Sequence, residues 1–117
     1  MKELTTEQLN KILEDHRKWL IDCDYGTRAN LSGLNLTGAD LMGVNLSKAN
    51  LRGIDLTEAN LRGAILTGAN LSKANLSRAD LSIADLRRTD LTGANLRGTI
   101  ITGTDLTEAN LGEAINY

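Results

Sequence analysis

From Ala29 onward one pattern of apolar and polar positions recurs every five residues. Its centre is leucine: Leu31, Leu36, Leu41, Leu46, Leu51, Leu56, Leu61, Leu66, Leu71, Leu76, Leu81, Leu86, Leu91, Leu96, Leu106 and Leu111, with Ile101 in the one gap. Two residues before each centre stands a small or aliphatic residue. It is usually Ala, otherwise Leu34, Val44, Ile54, Thr89, Thr99 or Thr104. Between the two stands Asn or Asp, except at Ile65 and Ile100. Ser, Thr or Arg usually follows the centre, and the next position is Gly in 9 of the 17 units spanning 29–113.

A period of five is neither helical nor strictly alternating, so neither a long helix nor a flat sheet accounts for it. A short extended piece followed by a corner does. Residues two apart in an extended piece face the same way, so the centre and the small residue point inward and the Asn or Asp points outward. The next two residues turn the corner, and a type II turn favours Gly at its second central position. The units with Lys48, Glu58, Lys73, Arg78, Ile83, Arg88, Glu108 or Glu113 at that position are therefore expected to turn without positive φ. A corner every five residues winds the chain into coils that stack at about 4.8 Å. Leucines fill the interior, and the outer Asn side chains are expected to form a hydrogen-bonded ladder between coils.

Units such as ANLSK, ADLSI and ANLRG resemble the pentapeptide-repeat family, and the resemblance covers about three quarters of the chain. It implies an all-β solenoid, a right-handed, four-sided β-helix with four units per coil. Residues 26–117 would then make slightly more than four coils, a rod roughly 20 Å long at ~4.8 Å per coil. One outer column would run through Asn30, Asn50, Asn70, Asp90 and Asn110.

Residues 1–25 are different. Thr5 with Gln8 reads as a capping box and Leu4 with Leu9 as a hydrophobic staple. Leu9, Ile12, Leu13, His16 and Leu20 recur at helical spacing, with Trp19 beside the stripe, and Gly26 allows a sharp turn into the repeat. An amphipathic helix over 5–22 is expected to cover the first leucine layer, since a solenoid end exposes core and unpaired backbone. The segment resembles the N-terminal cap helices of some family members. At the other end the pattern decays through Ala114, Ile115, Asn116 and Tyr117. Two outcomes are open there: end-to-end pairing of two copies, as in some members of the family, or a frayed end covered by solvent.

Composition narrows the function. The chain has 117 residues, 3% aromatics, no Pro and a net charge of −2. Nothing in this suggests nucleic-acid binding. The charged N-terminus shows neither a signal peptide nor a membrane span. One cysteine, Cys23, cannot make an internal disulfide, so a reducing cytoplasm is the expected compartment. An interior of Leu and Ala leaves no cleft in which unlike groups converge, so no catalytic residues, no cofactor and no metal are expected. His16 reads as a covering residue rather than a base, and Cys23 as an inert thiol. Candidate contact residues are Arg87 and Arg88, which with Lys73 and Arg78 give local positive charge, and the outward apolar residues Met42, Ile83, Ile100, Ile115 and Tyr117.

Two functions follow as expectations. One is a non-enzymatic scaffold whose flat faces bind a protein partner. The alternative comes from the resemblance: some pentapeptide-repeat proteins mimic DNA and bind or protect DNA gyrase. Residues 26–117 carry nine basic and nine acidic side chains, however, and a neutral rod imitates a duplex poorly.

Overall fold

The computed structural model describes residues 2–115. It opens with β1 (Lys2–Glu3), continues into α1 (Thr6–Ile21), and then winds through the repeat, in which Leu34–Asn35 forms β2. β1 pairs parallel with β2, Glu3 opposite Asn35. Single parallel bridges continue the sheet: Asn30 with Asn50, Asn50 with Asn70, Asn70 with Asp90 and Asp90 with Asn110, and the same along three further columns. Each bridge joins residues 20 apart, so four pentapeptides complete one rung.

The hydrogen bonds repeat with the units. The centre N–H donates to the next rung (Leu31 to the Asn50 carbonyl, 2.8 Å), and so does the N–H two residues later (Gly33 to Arg52, 2.9 Å). Within each unit the N–H three residues after the centre donates back to the centre carbonyl, as from Ala39 to Leu36 at 3.0 Å. That bond, with positive φ at the third turn residue, is the type II pattern.

The non-glycine corners differ from expectation. Lys48, Glu58, Lys73, Arg78, Ile83, Arg88, Glu108 and Glu113 all have positive φ, between 52° and 64°, close to the 66–72° of the corner glycines. A corner of another shape would shift its N–H and C=O out of register with the rungs on either side. The ladder therefore imposes the left-handed conformation, at roughly 1–2 kcal/mol per non-glycine residue. Lys48→Gly is accordingly expected to raise stability by about 0.5–1 kcal/mol, strain relief being partly offset by glycine's greater unfolded-state entropy. Gly43→Ala has open space for its Cβ but φ +68, and should lower stability by about 1 kcal/mol. Thermal melts of the two variants check both signs.

Thirteen centres, from Leu31 to Leu91, are buried together with the alanines beside them, except the partly buried Ala39. Ile101 and Leu111 depart from the expected core: they are 53% and 41% exposed, and Leu96 and Leu106 are only half-buried. Among the described residues no further rung is stacked on their layer. The first rung is the opposite case. Leu31, Leu36, Leu41 and Leu46 are 0–7% exposed, because Leu4, Leu9, Ile12 and Leu13 pack against the same core.

The Thr5–Gln8 capping box is formed, with Gln8 N–H donating to Thr5 Oγ1 at 3.1 Å and Thr5 N–H to Gln8 Oε1 at 2.9 Å. Gly26, at φ +100, leads from α1 into the repeat. A Cβ there would stand 2.5 Å from the Asp15 carbonyl oxygen and 2.7 Å from the Trp19 nitrogen, so only glycine lets the chain pass this close to the helix.

Candidate interaction surfaces

The outward Asn and Asp side chains do not form the expected ladder between rungs. Each Oδ1 turns back onto its own corner and accepts the backbone N–H two residues on, as from Ser32 to Asn30 at 3.1 Å and Thr92 to Asp90 at 3.0 Å. Many also accept the hydroxyl at that position: Ser72 Oγ lies 2.6 Å from Asn70 Oδ1 and Thr107 Oγ1 2.6 Å from Asp105 Oδ1. These are Asx turns, which satisfy the corner locally and leave the rungs to be joined by backbone.

The same bonds hold the carboxylates ionised. Hydroxyl donation by Thr57, Ser82, Thr92 and Thr107 pulls the carboxyl pKa values of Asp55, Asp80, Asp90 and Asp105 below the ordinary value, and the Arg87 guanidinium does so for Asp85. With folded pKa values depressed, this contribution to stability is complete above the unfolded value of about 3.9 and is lost as pH falls through the folded ones. The acidic corner positions are thus explained by turn chemistry. Among the described residues no cluster of His, Cys, Asp or Glu is arranged to hold a metal ion.

Cross-rung side-chain contacts do exist: the inward hydroxyls of Thr89, Thr99 and Thr104 donate to the Leu66, Leu76 and Leu81 carbonyls of the preceding rung, and on the outside arginines reach the next rung. Arg52 Nη1 donates to Ser72 Oγ and Arg62 Nη1 to Ser82 Oγ, both at 2.9 Å and both between residues 20 apart. The guanidinium lies along the column and covers the serine of the next rung, so Ser72 and Ser82 are buried. A 20-residue offset was the sequence signal for these pairs.

Arg87 and Arg88 are exposed but paired. Arg87 reaches Asp85 at 2.7 Å and Asp105 at 4.0 Å, and Arg88 reaches Glu108 at 3.5 Å. With Thr67 and Thr107 they line one shallow depression. Met42 and Ile83 are more than half exposed and stand on one side of the solenoid. Ile100 joins them there, since its neighbour in the sheet is Asp80, in the unit that carries Ile83. Ile83 does not stand clear of the surface: its Cγ2 and Cδ1 atoms extend over Gly103 and Gly63 on the rungs either side. Ile115 is exposed on another column, opposite Asn95, and Tyr117 lies outside the described residues. Cys23 is exposed in the segment after α1.

At the far end, an apolar depression is lined by Leu86, Leu91, Leu96, Ile101, Leu106 and Leu111. At the near end a groove runs between the N-terminal segment and the first rung, floored by Leu9, Leu13, Leu36 and Leu41 with Glu3 and Asp40 at its edge. No helix among the described residues is long and apolar enough to cross a membrane.

Five-residue units, a 20-residue rung register and a leucine interior define a β-solenoid built of pentapeptides. The chain belongs to the pentapeptide-repeat family: the family's pattern, "Pentapeptide repeats", matches in eight copies over residues 27–63, 45–82, 54–93 and 79–115. Members of the family form right-handed quadrilateral β-helices. Two solved structures of cyanobacterial pentapeptide-repeat proteins resemble it. Rfr23 from Cyanothece 51142 is 36% identical with a TM-score of 0.78, over 82% of this chain and 65% of Rfr23. The alr5209 protein from Nostoc Pcc 7120 is 35% identical with a TM-score of 0.75, over 90% of this chain and 77% of the other. The chain thus spans just under two thirds of the length of Rfr23. No curated protein matches it.

Proposed function

We propose that this chain is a non-enzymatic scaffold that docks a protein partner on the outside of a right-handed, four-sided β-helix of slightly more than four coils. Residues 1–25 close its first coil, and residues 26–117 form the coils themselves. The observation that supports this reading is the uniformity of the corners. Eight non-glycine residues accept positive φ so that every rung keeps one shape. The backbone is therefore a fixed frame on which outward side chains vary without touching the core.

Arg87, Arg88, Met42, Ile83 and Ile100 are the proposed contact residues. Ile115, with Ile101 and Leu111, would serve a second copy meeting this one end to end. A nucleic-acid or membrane partner is not proposed, because the repeat is neutral and no helix among the described residues is long and apolar enough to cross a membrane. A cytoplasmic setting accords with the single exposed thiol. Mimicry of DNA toward gyrase would need a negative surface that the balanced charges do not supply. Addition of the protein is expected to leave gyrase supercoiling unchanged, with and without a fluoroquinolone.

The reading is tested by affinity capture from the source cell's lysate, comparing wild type with R87E/R88E. A protein retained by the first and lost from the second, both variants melting alike, supports docking on this face. Identical capture profiles for the two baits would remove Arg87 and Arg88 from the proposal.

A further inference from the structure

At the end of the solenoid nearest α1, beside the apolar packing of Leu9, Ile12 and Leu13 and the Thr27 N–H bond to the Asp15 carbonyl at 3.1 Å, one imidazole occupies the positions of two missing backbone partners. In later rungs the carbonyl following each centre accepts an N–H from the rung before it, as Thr67 does from Lys48 at 2.9 Å. Ser47 belongs to the first rung and has no rung before it. His16 Nε2 lies 2.9 Å from its carbonyl oxygen. In later units the amide two residues before a centre donates to the preceding centre carbonyl, as Ala49 does to Leu46 at 3.1 Å. Ala29 precedes the first centre, and its N–H donates instead to His16 Nδ1 at 2.9 Å.

These two bonds fix the state of the ring. Ala29 brings a hydrogen to Nδ1, so Nδ1 must present a lone pair. Nε2 must then carry the ring hydrogen and donate it to Ser47. Only one neutral tautomer fits. A second proton would go to Nδ1 and face the Ala29 N–H, donor against donor, on a side chain with no exposed surface.

We propose that His16 is an acid-sensitive latch: protonating it breaks the Ala29 bond, releases α1 from the first rung and uncovers the leucine layer beneath. This rests on the reading of α1 as the covering element of that end.

The surroundings offer the charged ring no compensation. Arg28, in the segment leading to Ala29, adds a positive charge that opposes protonation. On α1, Asp15 is held by Lys11 at 3.0 Å, and Glu14 by Arg17 at 2.7 Å. On the rung, Lys48 follows Ser47, but its side chain extends over Gly68 on the next rung, away from α1. Burial, partly offset by the Ser47 bond, holds the imidazole pKa below its ordinary value. The sign follows from linkage. The latch is at full strength above the unlatched pKa of about 6.5, and it weakens as pH falls from there toward the latched value. Within that interval the opening equilibrium shifts by about tenfold per pH unit.

The molecule carries its own reporter, because Trp19 stacks on His16 with ring centroids 5.5 Å apart. The experiment follows Trp19 fluorescence and amide hydrogen exchange of the full chain from pH 8 to pH 5, exchange being corrected for its intrinsic pH dependence. It compares wild type with His16→Gln, whose amide oxygen and nitrogen can accept from Ala29 and donate to Ser47 without titrating. In wild type the α1 amides are expected to lose protection below about pH 6.5 while those of the central rungs keep theirs. In His16→Gln both are expected to stay protected. An unchanged α1 down to pH 5, or the same transition in both proteins, would overturn the latch. If the variant does not fold, NMR titration of the wild-type ring decides, and a pKa at or above about 6.5 rejects the proposal. Release of α1 in acid without binding of a hydrophobic dye would uphold the latch and defeat the covering role of the helix.

Discussion

Deletion of residues 1–25 is expected to abolish cooperative folding and leave the repeat insoluble. Four first-rung centres are 7% exposed or less in the intact chain. Much of that burial comes from Leu4, Leu9, Ile12 and Leu13, which pack against the core from the N-terminal side. Each leucine so uncovered forfeits up to about 1.5–3 kcal/mol, and several together approach the whole stability of a small domain. The deletion also removes β1 from the edge at Asn35 and both His16 bonds, leaving a row of unpaired backbone groups. A bare apolar end with free strand edges favours aggregation. Sedimentation and a thermal melt of the truncated protein check this; a soluble monomer that melts in one sharp transition would show that α1 is dispensable.

Leu71→Ala is expected to destabilise the protein by about 2–5 kcal/mol, and Leu111→Ala by less than about 1 kcal/mol. The two leucines occupy the same slot of the same repeat, and sequence alone treats them alike. Leu71 is fully buried between rungs, so truncation opens a cavity that the neighbouring leucines cannot fill without breaking register. Leu111 is 41% exposed and leaves no enclosed void. Urea titrations of both variants measure the difference. Equal losses would mean that the terminal leucine layer is covered in solution, as pairing with a second copy would do, and repeating the titration at several protein concentrations would reveal it.

The five-residue period contained most of the fold. Alternation placed leucine and alanine inside and Asn or Asp outside, and the glycine position marked a turn with positive φ. Residues 5–22 carried a capping box and an apolar stripe, which were enough to place α1 and to mark His16 as part of its apolar face. Local physics sufficed there because each feature depends on neighbours within a few residues.

The features that sequence did not show depend on what lies a dozen or more residues away along the chain. A lysine or isoleucine at a corner has no local reason to adopt positive φ; the rungs above and below impose it through their ladder bonds. Asn side chains could bond up the column or back to their own turn, and the backbone ladder, having already joined the rungs, leaves them the turn. Ile101 and Leu111 match the buried pattern, but no rung among the described residues stacks on them. The two partners of His16, Ala29 and Ser47, lie 13 and 31 residues from it, and only the stacked fold brings both to one ring. Sequence by itself determined the unit, its inward and outward faces and the helix that precedes it. Tertiary structure alone decided corner conformation, burial at the ends and the state of the buried imidazole, because each is set by hydrogen bonds and contacts made across rungs rather than along the chain.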